Sequence, residues 1–466
     1  MTNAAAREMS DQTSSLVREL HLGVHSSRIL MSGGVLEEYS RDQGPVTQPA
    51  MPAVVVLAES VEEVQHVMRC AHLFKVAVVA RGTGTSLSGG AHAVSGCIVL
   101  SLERMNRILE VRPQDELAIV EPGVINADLN LAVAPHGLMY APDPASHTIS
   151  TLGGNVATNA GGLRCAKYGV TRDSVLALDV VLADGTLIHT GHTTFKGVAG
   201  YDLTALFVGS EGTLGIVVGI TVRLKYLPIQ TRTLAAFFPD FPAAAAGVLA
   251  IGAARVQPAI LELLDGNTLG VLDAAFQSNL AARGGALLLI QTDGFGAEAE
   301  SAVVRKVLTQ AGATVEAEDG SEAAMLLDLR RNARGDGVDD DFRVGEDVAV
   351  PRSQLVHYAG ELERMAAEHG VRLRLVAHAG DGNLHPTFWV NRDEGQAGML
   401  RLQAALDESV RVALGLGGTI TGEHGVGQYK LRWLAWEQSA EVLSLQRRVK
   451  EAFDPLGILN PGKAIT

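Results

Sequence analysis

Histidine and carboxylate side chains suited to metal binding occur in two short stretches of the second half of the chain. Residues 376–388 read VAHAGDGNLHPTF, and residues 421–425 read TGEHG. An Asp-Gly pair between apolar runs indicates a two-residue hairpin turn of type I′, which would place His378 directly opposite His385. Because cross-strand Cβ atoms lie roughly 4.5–5.5 Å apart, the two imidazoles could share a metal ion with Glu423 as a further ligand. The same spacing also fits two half-buried histidines on a hairpin that binds no metal.

Three segments rich in glycine and hydroxyl side chains occur in the first half of the chain, at residues 81–90, 142–169 and 208–217. Exposed backbone N–H groups and Ser or Thr hydroxyls are suited to binding a pyrophosphate. The first segment is not a GxGxxG motif that opens a helix, so the dinucleotide-binding fingerprint does not apply. One such segment alone could be a connection without a ligand. Three of them predict a long ligand with several contact zones, such as a flavin dinucleotide.

Composition and charge narrow the class of protein. A chain of 466 residues exceeds one hydrophobic core and indicates two or three domains. The net charge of −14 argues against a nucleic-acid partner. Three scattered cysteines form no disulfide framework, which favours a reducing compartment. Neither a signal peptide nor an apolar run of about 18 residues is apparent. We therefore expect a cytoplasmic protein without a transmembrane segment, and peripheral membrane contact stays open.

The first part of the chain predicts strands alternating with helices. Residues 1–50 are expected to form a polar leader with a short helix around residues 14–22. An apolar strand is then expected at 53–58 and another at 77–80. Ser60 followed by Glu63 predicts a capping box at the start of the helix between them. This rhythm is shared by many folds, so it does not by itself identify a ligand.

The composition changes near residue 229. Strands and alanine-rich helices alternate there, which predicts an antiparallel sheet flanked by helices. The expected strands are 232–238 and 285–292, and the expected helices are 241–254, 297–311 and, near the end of the chain, 439–453.

Taken together, the three glycine-rich segments resemble the FAD-binding domain of the vanillyl-alcohol oxidase / p-cresol methylhydroxylase (PCMH) flavoprotein superfamily. The second half resembles the branch that holds D-lactate dehydrogenase, the glycolate oxidase D-subunit and D-2-hydroxyglutarate dehydrogenase. The motifs that carry this second resemblance lie at 261–265, 329–333, 347–351, 378–385, 422–425 and 453–463.

The resemblance implies an α+β fold. A PCMH-type FAD-binding domain of two α+β subdomains is expected at residues 51–229. A substrate- and metal-binding cap domain with the antiparallel sheet is expected at 230–425. Residues 426–466 are expected to return to the FAD-binding domain.

The resemblance also implies which residues contact FAD. Residues 81–90 contain neither His nor Cys, so FAD is expected to be held non-covalently, and His92 just beyond them is expected at the surface or at a strand end. The expected FAD contacts are Arg81, Gly82, Thr83, Gly84, Thr85, Ser86, Leu87, Pro142, Ser146, Gly153, Gly154, Thr158, Asn159, Gly161, Gly162, Glu211, Gly212, Gly215 and Ile216.

By the same resemblance, a divalent metal is bound by His378, His385 and Glu423. Zn²⁺ is favoured, with Fe and Mn as alternatives. His424 is the expected base, because removing a hydroxyl proton needs a group with a pKa near the operating pH. Arg330, or the adjacent Arg331, is expected to bind the substrate carboxylate through its planar guanidinium. Asn383 is expected either to bond the substrate or to hold the turn.

The expected reaction is oxidation of a D-2-hydroxy acid of the lactate, glycolate or 2-hydroxyglutarate type, with hydride transfer to flavin N5. Electrons would leave to an external acceptor, which could be a protein, a quinone or oxygen, and a homodimer is left open. Two alternatives remain. One is a non-redox flavin enzyme resembling alkyl-glycerone-phosphate synthase, and the other is the flavin subunit of a glycolate-oxidase-like complex.

Overall fold

The computed structural model describes residues 3–45, 48, 50–318, 321–331 and 341–465. The chain divides into two compact units. Unit 1 comprises Met1–Ala160, Val170–Leu227 and His424–Thr466. Unit 2 comprises Gly161–Gly169 and Pro228–Glu423. Among the described residues, no helix is long and apolar enough to cross a membrane.

Helices and short strands alternate along the described parts of the chain. The helices are α1 (Asn3–Leu20), α2 (Gly33–Glu38), α3 (Val61–Phe74), α4 (Asn126–Val133), α5 (Leu152–Thr158), α6 (Cys165–Tyr168), α7 (Thr171–Ser174), α8 (Leu203–Phe207), α9 (Phe241–Ala253), α10 (Gly266–Phe276), α11 (Ala297–Gln310), α12 (Ser321–Arg331), α13 (Leu355–His369), α14 (Gly395–Gly415), α15 (Leu431–Glu437) and α16 (Ala440–Phe453). The strands are β1 (Ile29–Leu30), β2 (Val54–Leu57), β3 (Val78–Arg81), β4 (Ile98–Ser101), β5 (Ile108–Arg112), β6 (Leu117–Val120), β7 (Leu138–Met139), β8 (Val175–Val181), β9 (Leu187–Gly191), β10 (Ile216–Arg223), β11 (Lys225–Tyr226), β12 (Thr231–Phe238), β13 (Ile260–Asp265), β14 (Ala286–Asp293), β15 (Thr314–Glu318), β16 (Asp341–Gly345), β17 (Val348–Ala349), β18 (Arg372–His378) and β19 (Asn383–Asn391).

The first sheet of unit 1 has the strand order β1-β2-β4-β3, with β4 parallel to both β2 and β3. Every residue of β2 and β4 is buried, as is typical of parallel strands covered on both faces. Helix α3 begins after Ser60, whose side chain accepts a hydrogen bond from the Glu63 N–H at 3.3 Å. The Glu63 carboxylate accepts from the N–H of Glu59 at 2.9 Å. The predicted reciprocal bond to Ser60 is therefore wrong.

The second sheet of unit 1 has the strand order β5-β6-β10-β8-β9, and all of its pairs are antiparallel. Helix α16 from the end of the chain packs against its core through Val449 and Phe453. The rings of Phe207 and Phe453 meet edge to face at 5.5 Å. The predicted helix at 439–453 is confirmed, with Ser439 as its N-cap.

The sheet of unit 2 has the strand order β15-β12-β14-β13-β18-β19-β16, and β17 pairs with β19. All of its pairs are antiparallel. Leu269 and Leu272 of α10 form an apolar core with Leu264 and Leu287 of the sheet. Strands β12 and β14 and helices α9 and α11 lie within one residue of their predicted bounds. The predicted antiparallel sheet flanked by helices is confirmed.

The hairpin between β18 and β19 differs from its prediction. His378 pairs with Asn383, and His385 pairs with Val376, so the two histidines are not directly opposite each other. Residues 379–382 form a four-residue loop in which Gly382 has φ +82°. Asp381 is not in the left-handed region, whereas a type I′ turn requires φ > 0 at both central residues. The predicted two-residue turn and its register are therefore wrong.

The actual register nevertheless keeps both imidazoles together. Val376, which is opposite His385, lies two residues before His378 on the same strand. Because side chains on a strand alternate between faces, both histidines project from one face of the sheet. Their ring centroids are 5.1 Å apart, so the error in register left the predicted neighbourhood intact.

Candidate functional site

Three possible metal ligands converge in unit 2. The Nε2 atom of His378 and the Nε2 atom of His385 each lie 3.3 Å from Glu423 Oε1. One ligand atom from each of the three residues lies within 4.8 Å of the others. The side chains are only 6%, 11% and 10% exposed for His378, His385 and Glu423 respectively. The structure thus brings all three predicted ligands to one buried point.

The spacing of these atoms fits a small tetrahedral cation. Two donor atoms that each lie roughly 2.0–2.1 Å from a tetrahedral Zn²⁺ are about 3.3 Å apart. This is the observed separation of Glu423 Oε1 from Nε2 of either histidine. A set of two imidazoles and one carboxylate is also a catalytic zinc donor set with a position left for water or substrate. The residues present therefore fit a divalent metal.

The charges around these residues favour a cation. Burial lowers the pKa of His378, but the carboxylates of Glu262 and Glu423 outweigh it and raise that pKa to about 10. Burial lowers the pKa of His385, which favours the neutral imidazole, the form that can bind a metal through a nitrogen lone pair. Although burial opposes it, the two histidines hold the pKa of Glu423 well below its usual range. The two carboxylates that flank His378 thus favour positive charge at this point, either as a proton on the ring or as a bound metal cation.

Asp347 holds the loop that carries Glu423. Its carboxylate accepts hydrogen bonds from the Thr421 hydroxyl at 2.7 Å, from the Gly422 N–H at 2.9 Å and from the Glu423 N–H at 3.0 Å. The Asp347 side chain is fully buried and lies 3.9 Å from His385 Nδ1. Because three donors from consecutive residues converge on one carboxylate, the Glu423 backbone is pinned beside β19.

Arg330 lies next to this site but is already engaged. Its guanidinium is 2.5 Å from Glu262 Oε2, and its side chain is 4% exposed. The same guanidinium nitrogen lies 3.4 Å from His378 Nδ1. Residues 332 and 333, which complete the predicted 329–333 motif, lie outside the described residues. The role of Arg330 as a substrate ligand stays a prediction.

Asn383 lies at the start of β19, where it pairs with His378 across the hairpin. Its side chain is 6% exposed, and its Oδ1 atom has no hydrogen-bond partner among the described residues. Both predicted roles, binding substrate and holding the turn, are compatible with this place.

His424, the predicted base, is the first residue of unit 1 after the boundary. The Ser88 hydroxyl contacts its backbone carbonyl at 3.4 Å and donates to that of Gly425 at 2.9 Å. The buried Glu211 carboxylate accepts from the N–H groups of Val426 and Gly427 at 2.7 and 2.8 Å. Burial raises the pKa of Glu211 to about 7. Glu211, predicted as a flavin contact, therefore anchors the segment that follows His424.

The three glycine-rich segments meet at one cavity in unit 1. Each segment contributes predicted residues to its wall, beside Ala80, Thr151 and Phe207. The predicted residues in the wall are Arg81, Gly82, Gly153, Gly154, Gly212, Gly215 and Ile216. This convergence of three segments that are far apart in sequence fits a long ligand.

The polar groups of these segments also fit such a ligand. Ser86 Oγ and Asn155 Nδ2 are buried and have no hydrogen-bond partner among the described residues, although buried polar groups normally find one. His92 is 2% exposed, so its expected place at the surface is wrong. Both of its ring nitrogens are engaged, by the Asp42 N–H at 3.0 Å and by the Pro45 carbonyl at 3.2 Å. Non-covalent binding of FAD stays a prediction.

Gly161 and Gly162, also predicted as flavin contacts, belong to unit 2. Gly161 approaches Glu423 closely, because a Cβ atom built on it would lie 2.5 Å from Glu423 Oε2. The neighbouring residues of this segment hold it on unit 2, since Lys167 and Tyr168 both bind the Asp293 carboxylate. The structure thus places Gly161 beside Glu423.

Replacing Gly161 with alanine is expected to displace the Glu423 carboxylate. Metal binding should weaken at least roughly tenfold, because even the loss of a residue that only hydrogen-bonds to a metal ligand typically costs 10- to 100-fold in affinity. FAD should stay bound, because the cavity that the three glycine-rich segments line belongs to unit 1. The measurement is metal and FAD content per chain after gel filtration. The matched control is Gly360→Ala, where the added Cβ meets nothing within 4 Å. Loss of FAD with retained metal would instead support Gly161 as a flavin contact.

Sequence reasoning missed two residues that support the metal ligands, Glu262 and Asp347. Both are fully buried, and both lie within motifs that carry the family resemblance. The signal that could have identified Glu262 is a carboxylate in the otherwise apolar run of β13, since such residues are rarely buried unless paired. Asp347 directly follows Glu346, and the sequence has no pattern that indicates which of the two carboxylates binds the loop that carries Glu423.

Comparison with known proteins adds independent information. Residues 52–191 match the family model described as FAD binding domain, and residues 227–464 match that of FAD linked oxidases, C-terminal domain. The glycolate oxidase subunit GlcD of Bacillus subtilis is 42% identical, over 91% of this chain and 91% of its own length. The D-lactate dehydrogenase of Anaerostipes hadrus is 33% identical, over 94% of each chain.

Solved structures agree on the fold. p-Cresol methylhydroxylase superposes with a TM-score of 0.80 at 18% identity, covering 97% of each chain. The 4-ethylphenol oxidase of Gulosibacter chungangensis gives 0.78 at 20% identity, again over 97% of each chain. The predicted α+β fold with a PCMH-type FAD-binding domain is confirmed. The two family matches show that the chain belongs to the FAD-linked oxidase family, and that it contains the FAD-binding domain and the C-terminal domain of that family.

Proposed function

We propose that this protein oxidises a D-2-hydroxy acid to the 2-oxo acid with FAD and a divalent metal. The observation that carries the proposal is the buried convergence of His378, His385 and Glu423. Relatives named glycolate oxidase subunit and D-lactate dehydrogenase support a small 2-hydroxy acid as the substrate class. Zn²⁺ is favoured by the donor set and its spacing, with Fe and Mn as alternatives.

The residues of the chain would divide the work as follows. His378, His385 and Glu423 would hold the metal, which when bound would orient a hydroxy acid and acidify its hydroxyl group. His424 would accept the hydroxyl proton as general base. Arg330 and Asn383 would contact the substrate carboxylate and hydroxyl oxygens. The cavity of unit 1 would hold FAD non-covalently, and FAD would supply the hydride acceptor.

The electrons must then leave the flavin. The chain has three cysteines, Cys70, Cys97 and Cys165, and an Fe–S cluster commonly needs four. We therefore propose an external acceptor, which could be a protein, a quinone or oxygen. That the relatives from Bacillus subtilis and Escherichia coli are named subunits supports a protein acceptor in a complex.

Anaerobic mixing with a panel of D- and L-2-hydroxy acids tests the proposal. A D-2-hydroxy acid should bleach the flavin absorbance, its L-enantiomer should not, and prior chelation should abolish the bleaching until Zn²⁺, Mn²⁺ or Fe²⁺ is added back. Dithionite serves as the control that FAD is present and reducible.

Two results would contradict the proposal. If no hydroxy acid reduces a flavin that dithionite does reduce, a non-redox enzyme resembling alkyl-glycerone-phosphate synthase becomes the better hypothesis. If chelation changes nothing and the protein holds no metal, a flavin subunit without the metal chemistry is favoured.

A further inference from the structure

A buried carboxylate lies directly behind one of the metal ligands. Glu262 occupies the middle of β13, and its cross-strand partner on β18 is His378. Apart from Asp265 at its end, the rest of β13 is apolar, and all six of its residues are buried. Because an isolated ionised carboxylate in such a place is strongly unfavourable, Glu262 needs partners that offset its burial.

Glu262 has two such partners, one for each oxygen. Its Oε1 lies 2.8 Å from His378 Nδ1. Its Oε2 lies 2.5 Å from the Arg330 guanidinium, and the two side chains are 0% and 4% exposed. Arg330 neutralises the carboxylate charge, and His378 occupies the remaining oxygen. The Arg330 nitrogen that pairs with Glu262 also lies 3.4 Å from His378 Nδ1, so the three side chains form one buried cluster.

These contacts favour one ring nitrogen of His378 as the metal ligand. The Glu262 carboxylate, at 2.8 Å, is nearer to Nδ1 than the Arg330 nitrogen, at 3.4 Å, so a proton on Nδ1 is favoured. The other nitrogen, Nε2, is 3.3 Å from Glu423 Oε1 and is the one that would give up its proton to a bound metal. Metal-binding histidines usually donate their second N–H to a carboxylate in this way.

We propose that Glu262 is a positioning residue that orients the His378 ring and selects Nε2 as the metal donor, with Arg330 holding Glu262 in place. This inference rests on the metal site of the proposed function. It gives Arg330 a task that is distinct from binding the substrate carboxylate. Both residues act through His378, so their loss should show first in metal affinity.

The principal test is Glu262→Gln, with Zn²⁺ affinity measured by competition with a chromophoric chelator. The amide can still accept from Nδ1–H but carries no charge, so we expect affinity to fall about tenfold, at the lower end of the range for such partners. Asp265→Asn is the matched control. Asp265 is a buried carboxylate of the same strand that caps α10 through the Thr268 N–H at 2.8 Å, and asparagine caps equally well.

A second variant guards against misfolding. Glu262→Leu alone would leave Arg330 as a buried, uncompensated cation, which is strongly destabilising. The double variant Glu262→Leu with Arg330→Met removes both charges together, and such replacements are often neutral for stability. We expect the double variant to fold, to retain FAD and to bind Zn²⁺ up to roughly 100-fold more weakly than wild type.

Three outcomes decide the inference. Weaker Zn²⁺ binding in both variants with unchanged binding in Asp265→Asn supports it. Wild-type Zn²⁺ affinity in folded Glu262→Gln and in the double variant overturns it and leaves the proposed function standing. A wild-type protein that binds no divalent metal overturns the metal-dependent function and this inference together.

Arg330→Gln separates the two tasks of that residue. If Arg330 acts through Glu262, the Zn²⁺ affinity of Arg330→Gln should fall by a factor similar to the fall in Glu262→Gln. If Zn²⁺ affinity is unchanged and only the KM for the hydroxy acid rises, Arg330 binds substrate and does not position the metal ligand.

Discussion

Replacing His424 with alanine is expected to slow flavin reduction by substrate roughly 100- to 10,000-fold, the range for loss of a general base. FAD and metal should both stay bound. The proposed metal ligands His378, His385 and Glu423 are untouched, and the cavity proposed for FAD is lined by other residues. The measurement is the rate of anaerobic flavin bleaching at saturating substrate, together with metal and FAD content.

The His424→Ala result needs a control for general damage to unit 1. His136 is exposed and belongs to the same unit, so His136→Ala should reduce flavin at the wild-type rate. The segment that carries His424 is held through its backbone by Ser88 and Glu211, so removing the imidazole should leave that segment in place. Wild-type reduction rates in His424→Ala would remove this residue as the base.

Replacing His378 with alanine is expected to lower metal affinity by more than roughly 100-fold, because loss of a direct ligand should exceed the 10- to 100-fold cost of losing an outer partner. The substitution also removes the imidazole that lies between the Glu262 and Glu423 carboxylates. Substrate-dependent flavin reduction should fall with metal content. Elemental analysis and chelator competition measure the first effect, and anaerobic bleaching measures the second.

The His378→Ala variant should still contain FAD, since the described residues that line the cavity proposed for FAD all belong to unit 1. His357→Ala is its matched control, because His357 is an exposed histidine of unit 2 on α13. Equal metal content in His378→Ala and wild type would contradict the assignment of His378 as a ligand. Taken with His424→Ala, the two variants distinguish loss of metal from loss of the base.

Several elements of unit 2 could be predicted within one residue. Strands β12 and β14 and helices α9 and α11 were expected close to where they lie, because short, nearly continuous apolar runs favour buried strands and longer alanine-rich runs favour helices. The capping Ser60 was equally local. Such features depend on residues a few positions apart, so the chain specifies them before any tertiary contact forms.

The histidine hairpin marks where local reasoning fails. Asp381-Gly382 predicts a two-residue turn, but only Gly382 has a positive φ, and the loop takes four residues. Strand β18 also pairs with β13, and that pairing lies outside the hairpin. The observed register differs from the predicted one by two residues, since His378 pairs with Asn383 and not with His385. Because side chains alternate between faces with period two, a shift of two residues keeps both imidazoles on one face.

The sequence alone therefore determined the residue types of the proposed site: two histidines and a carboxylate as candidate metal ligands, a further histidine as the candidate base, and three glycine-rich segments as candidate flavin contacts. Only the tertiary structure decided what surrounds them. Glu262 reaches His378 across 116 residues of sequence, and Gly161 meets Glu423 although it was expected at the flavin. The pairing of β13 with β18 brings the first two residues together, and the inclusion of residues 161–169 in unit 2 brings Gly161 to Glu423. Neither leaves a local pattern in the sequence, because the residues involved are far apart along the chain.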